Sequence, residues 1–500
     1  MPTTNPASRL GTVCVLIVAA FYLSTIRDGH EWGDDFSQYI RHASNLAAGL
    51  PYATTSYLYN PDNPSVGPRL YPPGFPVVLA PVIRTFGLAL RPMKVEIVLF
   101  FVAALLLIYQ LIQPLMPSAA AAAAVVLIVG LNPFFWDFKD QILSDVPFLF
   151  FFAAMLLCLT RADESDRGTR ARAMLAVLGG VAMFAAYSTR VVGIVLLPSL
   201  VARDLVRHRR LTREGLVAAA TFVVLAALSY AVGPRDSSYT DLLTITPAII
   251  VNNVVAYLRW SSEIWENGYT DLVRKALFLA TVGLAAVGGV SLWKQPRATL
   301  LVVVAFFYLS AVIAWPLAQG TRLLIPVIPI FVACSVLGAW SIDRAIAPHV
   351  RIQHVVLATL LAAVAATYSA RYSILPFGRV PEGIAKRESV ELFDFVKTST
   401  RPDEVIIFSR PRALALLTER IVTPPPRTDD ACRLWRYIQR VRAGYIATGP
   451  GEANEEAVFL ARFVRDFAPD LRVMMRNADV GVYRVERVAV DCVDQRHAVR

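Results

Sequence analysis

The chain has 500 residues, 56% hydrophobic and only 17% charged, against roughly a quarter charged in an ordinary soluble domain. Its mean hydropathy of +0.50 excludes a disordered chain, a collagen and a small disulfide scaffold and points to a multi-span membrane protein. The net charge of +11, from 49 Lys+Arg against 38 Asp+Glu, fits cytoplasmic loops on anionic lipid better than nucleic acid, because no basic run is interleaved with aromatic residues.

Residues 10–26 carry no charge. They predict a retained signal-anchor helix, since Arg9 is a weak basic flank and no clear A-x-A cleavage site follows. Residues 27–96 form a long first outer loop with His30, Glu31, Asp34 and Asp35, a Pro/Gly/Tyr-rich stretch, and the moderately apolar 71–90. That last piece reads as an interfacial or re-entrant helix. The uncharged run 97–136 is long enough for two spans, with a turn at Gln113-Pro114 and Pro117-Ser118. Further uncharged runs are 146–160, 173–189, 191–202, 215–234, 276–293, 298–321, 323–342 and 352–370. At roughly 20 residues per span, fewer inside a bundle, the expectation is about eleven transmembrane helices.

Charge sets the orientation. Short loops of one side carry Arg9, Arg161, Arg167, Arg170, Arg172, five arginines over 203–213, Lys294, Arg297, Arg344 and Arg351, against chiefly Lys139, Arg190 and Arg322 opposite. The positive-inside rule therefore predicts a cytoplasmic N-terminus and an outer C-terminus. In the second outer segment, 235–272, Trp260, Trp265 and Tyr269 are expected as interface anchors. Residues 371–500 alternate strand-like runs (404–408, 444–447) with amphipathic helical stretches (388–398, 455–467), which reads as a soluble extracytoplasmic α/β domain following a membrane domain at 1–370. Cys14, Cys158 and Cys334 lie in apolar runs as buried thiols, whereas Cys432 and Cys492 are free to pair in an outer domain.

The candidate chemistry lies on the outer side. Asp34 and Asp35 follow the first span, and Asp35 and Tyr39, four apart, share a helix face. A carboxylate there can act as general base on an acceptor hydroxyl; either acid would equally cap a helix over 36–50. Asp145, in Gln141-Ile142-Leu143-Ser144-Asp145-Val146-Pro147-Phe148, opens a span and is a functional candidate by its depth, with helix capping as the alternative. Asp137, Lys139 and Asp140 line the same short loop. Arg190 and Arg322 are expected on the face that carries Asp35. Arginine binds phosphate bidentately and stays charged, though either side chain could also simply snorkel to headgroups.

The stretches Gly33-Asp34-Asp35-Phe36-Ser37-Gln38-Tyr39-Ile40 and Tyr71-Pro72-Pro73-Gly74-Phe75-Pro76 resemble the first lumenal loop of polyprenol-dependent glycosyltransferases of the GT-C superfamily. The branch they resemble is that of protein O-mannosyltransferases and the lipid A aminoarabinose transferase. Ser144-Asp145-Val146-Pro147-Phe148 is similar to that family's Ser-acid-x-Pro-Phe segment, and Arg322 through Pro326 and Pro329 to its Arg/Pro segment. The resemblance implies a GT-C-like membrane domain and makes Asp35 the catalytic base. Phe36 stands where the family commonly has a second acid. Arg322 and Arg190 become ligands of the donor phosphate, and Asp34, Tyr39, Tyr71, Asp145 and Lys139 become substrate-binding residues. Arg410-Pro411-Arg412-Ala413-Leu414 resembles a segment of bacterial members with no assigned chemistry.

The implied activity is inverting transfer of a sugar from a polyprenyl-phosphate donor to a glycan, glycolipid or protein hydroxyl, at a bacterial plasma membrane. The partners are the lipid-linked sugar, that acceptor and the bilayer, with no nucleic acid. No cofactor is expected, although Asp34, Asp35 and Asp145 together offer oxygens to a divalent metal. A transporter or flippase of a lipid-linked precursor and a non-catalytic assembly protein are the alternatives. The former should show midplane charges or repeated halves, and neither stands out in the sequence.

Overall fold

The computed structural model describes residues 6–163, 168–233, 244–346, 354–449 and 455–487. Arg167, Arg351 and Cys492 lie outside the described residues. Cys432 is disulfide-bonded.

The membrane region begins with α1 (Pro6–Ser24). Two loop-1 helices follow, α2 (Asp35–Ala48) and α3 (Gly74–Phe86), then α4 (Leu90–Ile112), α5 (Ala119–Gly130) and the short α6 (Pro133–Phe138). Next come α7 (Asp145–Ala162), α8 (Thr169–Thr189), α9 (Leu196–His208), α10 (Arg213–Val232), α11 (Pro247–Ser261), α12 (Asp271–Trp293), α13 (Thr299–Ala314), α14 (Ile328–Ile346) and α15 (Val355–Tyr372). Among the described residues, eight helices are long and apolar enough to cross a membrane: α4, α7, α8, α10, α12, α13 with the turn before it, α14 and α15. Arg9–Ser24, Gly74–Phe86 and Ala119–Gly130 are apolar but shorter.

The departures from eleven equal spans have local causes. The run 97–136 does not give two full helices, because Asn132 breaks its second half. The Asn132 Oδ1 accepts from Phe134 N at 2.9 Å, starting α6, and its Nδ2 donates to Ile264 O (2.9 Å) and Tyr368 Oη (2.7 Å). Residues 191–202 are no simple span either. They run from a 3-10 turn, Val191–Val195, into α9, which buries Arg203 and Asp204. Arg203 pairs with Asp163 at 2.5 Å, and Asp204 accepts from Thr212 N and Oγ1 at 2.7 and 2.8 Å. Trp265 is not an interface anchor: it is 1% exposed and its Nε1 donates to Thr281 Oγ1 at 3.1 Å.

The last part contains α16 (Arg387–Ser399), β1 (Val405–Ile407), α17 (Pro411–Thr418), β2 (Ile421–Thr423), α18 (Ala431–Val441), β3 (Ala443–Thr448), α19 (Glu455–Asp466), β4 (Leu471–Arg476) and β5 (Gly481–Val485). The sheet order is β2-β1-β3-β5-β4, parallel across β2, β1 and β3 and antiparallel beyond. Alternation sends successive residues to opposite faces. Ile407, Ile446 and Tyr483 pack with Trp435 of α18 and Phe463 of α19 in a small core of their own. Ile406, Tyr445 and Val482 join the large core that runs down through loop 1 into the helices.

Loop 1 and this sheet share backbone hydrogen bonds. The free edge of β2 is occupied by residues 56–58: Leu58 N donates to Val422 O at 2.9 Å and Val422 N to Ser56 O at 3.0 Å. An exposed sheet edge is a ready template for a further strand. Val380 N and Ile384 N donate to Asp28 O and His30 O at 2.9 and 3.0 Å. The C-terminal domain is thus built onto the first loop along several segments.

Candidate active site

Asp35 is the first residue of α2, and Asp34 occupies the N-cap position without a side-chain cap bond. Neither acid serves α2 in the way a capping role would require. The Asp34 carboxylate faces the C-terminal domain, where its Oδ1 accepts from Ala413 N at 3.0 Å in the first turn of α17 and its Oδ2 from Arg412 Nε at 2.9 Å. It caps a helix, but one almost 380 residues further along the chain.

Asp35 turns the other way, into a cavity of about 390 Å³ lined by Asp35, Tyr39, Tyr71, Arg190 and Arg322 together with residues 65–68 and an apolar wall from 191–195 and 311–317. Its Oδ1 accepts from Tyr71 Oη at 2.6 Å and its Oδ2 from Arg322 Nη2 at 2.9 Å. Burial opposes its charge, but Arg322, Arg412 and the Tyr71 hydrogen bond outweigh burial and hold the carboxyl well below the usual carboxylate range. Arg322 lies in the 3-10 turn Gly320–Leu324 and Arg190 at the C-terminal end of α8. Both reach the Asp145 carboxylate, Arg322 Nε at 3.7 Å and Arg190 in direct contact. Desolvation works to lower the pKa of Arg322, but Asp145 and Asp35 outweigh it and drive the pKa upward. Its Nε is buried and has no acceptor within hydrogen-bonding distance among the described residues, lying 3.7 Å from Asp145 Oδ1.

The aromatic residues are fixed by their surroundings. Tyr39 stacks on Tyr71 with centroids 4.5 Å apart, and its hydroxyl bonds Ser144 Oγ at 2.9 Å. Burial pushes Tyr39 up to about 12, so it stays protonated. Tyr71 is held by Tyr52, whose hydroxyl donates to Tyr71 O at 2.8 Å.

The structure therefore brings Asp35, Tyr39, Tyr71, Arg190 and Arg322 around one cavity, with Asp145 buried directly behind the arginines. It does not bring Lys139 there. Lys139 is sealed beside Trp136, its Nζ 3.9 Å from the ring centroid and 2.6 Å from Asp140 Oδ2. Its closeness to Asp145 in sequence is undone by the turn at 139–144. Asp34 is also turned off the cavity. Arg412, to which no role attached in the sequence, is fully buried against Asp34, Tyr71 and Val66 O. The available signal was one charge in the first turn of an otherwise apolar helix, Pro411–Thr418. Among the described residues no group of three or more His, Cys, Asp or Glu is arranged to hold a metal, and the three candidate carboxylates are all engaged by arginines.

Residues 71–232 match the family model of dolichyl-phosphate-mannose-protein mannosyltransferases. No curated protein matches the chain in sequence. Among solved structures, ArnT from Cupriavidus metallidurans bound to undecaprenyl phosphate superposes with a TM-score of 0.62 over 96% of this chain and 98% of its own, at 13% identity. The apo oligosaccharyltransferase of Archaeoglobus fulgidus gives 0.57 over 87% of this chain and 69% of its own, at 12% identity. The same archaeal enzyme, AglB, with an inhibitory peptide and a dolichol-phosphate gives 0.55 at 11% identity. The chain has the fold of these GT-C proteins, as its loop motifs suggest.

Proposed function

We propose that the protein is an inverting glycosyltransferase of the extracytoplasmic membrane face, moving a sugar from a polyprenyl-phosphate donor to a hydroxyl of an envelope glycan, glycolipid or protein. One observation carries the reading: a carboxylate and two arginines, Asp35, Arg322 and Arg190, face one cavity that also has an apolar wall from 191–195 and 311–317. A prenyl chain suits the apolar wall, a phosphate the guanidinium groups. The family match over 71–232 and the ligand named for the Cupriavidus structure support the same donor class. The distribution of basic residues among the short loops supports a cytoplasmic N-terminus and a site that opens outward.

In this reading the acceptor oxygen attacks the anomeric carbon from the side opposite the phosphate. The new C–O bond forms as the bond to the phosphate oxygen breaks, Asp35 takes the hydroxyl proton, and polyprenyl phosphate leaves. Arg322 and Arg190 stabilise the charge that develops on the leaving phosphate. While Arg322 pairs with Asp35, that carboxylate is a poor base, because a general base works best with a pKa near the working pH. A donor phosphate competes for Arg322 and releases Asp35 from it. Arrival of the donor thus raises the basicity of the group that must next accept a proton. Asp145 holds both arginines in place from behind.

The test compares surface glycans and the lipid-linked sugar pool, by mass spectrometry, in a deletion strain complemented with wild type or Asp35→Asn at matched protein levels. Restoration of a missing sugar by wild type alone, with the lipid-linked form accumulating in the Asp35→Asn strain, is the expected result and names the sugar. Full restoration by Asp35→Asn overturns the base assignment and favours transport or assembly.

A further inference from the structure

We infer that Arg412 of the outer domain is a positioning residue for the Asp35 site, so that docking of α17 on loop 1 completes the catalytic pocket. The inference rests on the transfer reading for its kinetic arm only.

The geometry is specific. Arg412 is fully buried, in the first turn of α17, which packs on α2. Its Nη1 donates to Tyr71 Oη at 2.7 Å. That oxygen in turn donates its only proton to Asp35 Oδ1 at 2.6 Å. The hydroxyl therefore has one orientation, with an acceptor lone pair toward the guanidinium and its proton toward the carboxylate. Nε of Arg412 is anchored on Asp34 Oδ2, and Nη2 bonds Val66 O in the segment that roofs the cavity. Gly67 beside it has φ +127, and a Cβ there would run into Arg412 Nη2, so glycine lets the roof close on the guanidinium. One side chain thus fixes the hydroxyl that orients the base, the acid next to the base and the roof above both. It acts through these groups, since its own atoms are sealed from the cavity by Tyr71 and residues 65–68.

A buried fork that uses Nε, Nη1 and Nη2 on three different partners is not replaced by a lysine's single point charge. Charges that reach Asp35 come from Arg412 on α17, Arg322 on its 3-10 turn and, behind it, Arg190 and Asp145, with Tyr71 and Asp34 as close neighbours. Removing Arg412 leaves Asp35 with Arg322 as its directly paired cation, and Asp34 with only the more distant Arg410.

The experiment uses purified full-length protein added to detergent-solubilised membranes of the deletion strain, which hold unconsumed donor and acceptor. Consumption of lipid-linked sugar is followed against pH and against the amount of membrane lipid. Arg412→Ala is expected to lower the maximal rate about ten- to a hundred-fold, as for a misplaced reacting group. The half-saturating donor level should stay within about two-fold, because Arg322 and Arg190 are intact. The acid limb of the rate–pH profile should move to higher pH, and Arg412→Lys should recover part of the rate. An unchanged rate and profile overturns the inference, and so does a loss confined to donor affinity, which would make Arg412 a phosphate ligand. A second arm needs no activity: Ser65→Cys, in the roof, is labelled with a membrane-impermeant maleimide. Faster labelling when Arg412→Ala is added supports the positioning role, and an identical rate overturns it. A wild-type protein that consumes no lipid-linked sugar defeats the transfer reading, and the labelling arm then decides this one alone.

Discussion

Two charge clusters sit near each other under loop 1, and their difference is instructive. At the cavity and directly behind its wall, Asp34, Asp35 and Asp145 pair with Arg190, Arg322 and Arg412. A few residues away, Arg27, Lys94 and Lys139 surround Asp140, with Asp137 at the edge. In the second cluster Arg27 Nε and Lys139 Nζ reach Asp140 Oδ2 at 2.7 and 2.6 Å, Arg27 Nη2 reaches Asp137 at 2.6 Å, and Lys94 Nζ donates to Arg27 O and Gly29 O at 2.7 and 2.6 Å. Arg27 and Lys139 also flank the ring of Trp136. Burial brings Lys139 down to about 8 although Asp140 pulls it up. Among the described residues each of these groups has a partner in the cluster or on nearby backbone, and none of them lines the cavity at Asp35. The first cluster has similar charges, but Asp35, Arg190 and Arg322 line an open cavity. What separates a site from a clasp is charge set beside space, not the density of charge.

Four measurements would break or sharpen that contrast. The largest effect is expected from Asp35→Asn, which should lower transfer by about 10²–10⁴-fold, the range of a lost general base, with the melting temperature in detergent nearly unchanged. Asp140→Ala should do the reverse. It leaves three buried cations without their shared partner and should cost about 3–5 kcal/mol of stability, seen as a lower melting temperature, while the rate per folded molecule stays within about two-fold. Equal losses of activity in both variants would erase the distinction between the clusters.

The third measurement concerns His30, between the two clusters. Its Nε2 accepts from Ile142 N at 3.1 Å and its Nδ1 lies 2.9 Å from Glu31 O. The Nε2 contact makes Nδ1 the protonated nitrogen of a neutral ring. Burial lowers its pKa to about 4. The unfolded chain then binds a proton near pH 6.5 that the folded chain refuses until about pH 4. Stability from this group is present above about pH 6.5 and falls between there and pH 4, by about 3 kcal/mol in all. Thermal melts across that window should flatten in His30→Gln, and an unchanged slope would assign the acid sensitivity elsewhere. The smallest effect is expected from Tyr71→Phe. Loss of one hydrogen bond to a charged group should reduce the maximal rate about ten-fold, with donor affinity kept.

Asp35, Tyr39, Tyr71, Asp145, Arg190 and Arg322 were legible in the sequence because each lies in a short pattern at a helix end, where chain position and depth in the membrane go together. Lys139 was misread for the same reason: proximity to Asp145 along the chain suggested a shared cavity, and the tight turn sends it to Asp140 instead. Arg412 was illegible because its partners are separated from it by 341 and 378 residues, and no periodicity encodes a contact of that range. The strands over 405–407 and 443–448 and the helices over 387–399 and 455–466 follow their alternation closely. The spans were less regular than hydropathy suggested, since Asn132 and the Arg203–Asp204 pair find partners only in the folded bundle.

The capping of α17 by Asp34 has a consequence for biosynthesis. Loop 1 leaves the ribosome early, but the arginine and the amide that Asp34 binds lie 378 and 379 residues later. At about 5–20 residues per second the acid pair waits roughly 20–75 seconds for them. During that interval residues 56–58 and the segment over the cavity have no C-terminal domain to bind. A chain ending before residue 410 would keep the residues that join Asp35 to Tyr71 and Arg322 but would lack the arginine that holds Tyr71 and Val66. Arrival of the C-terminal domain is thereby also the step that finishes the first loop.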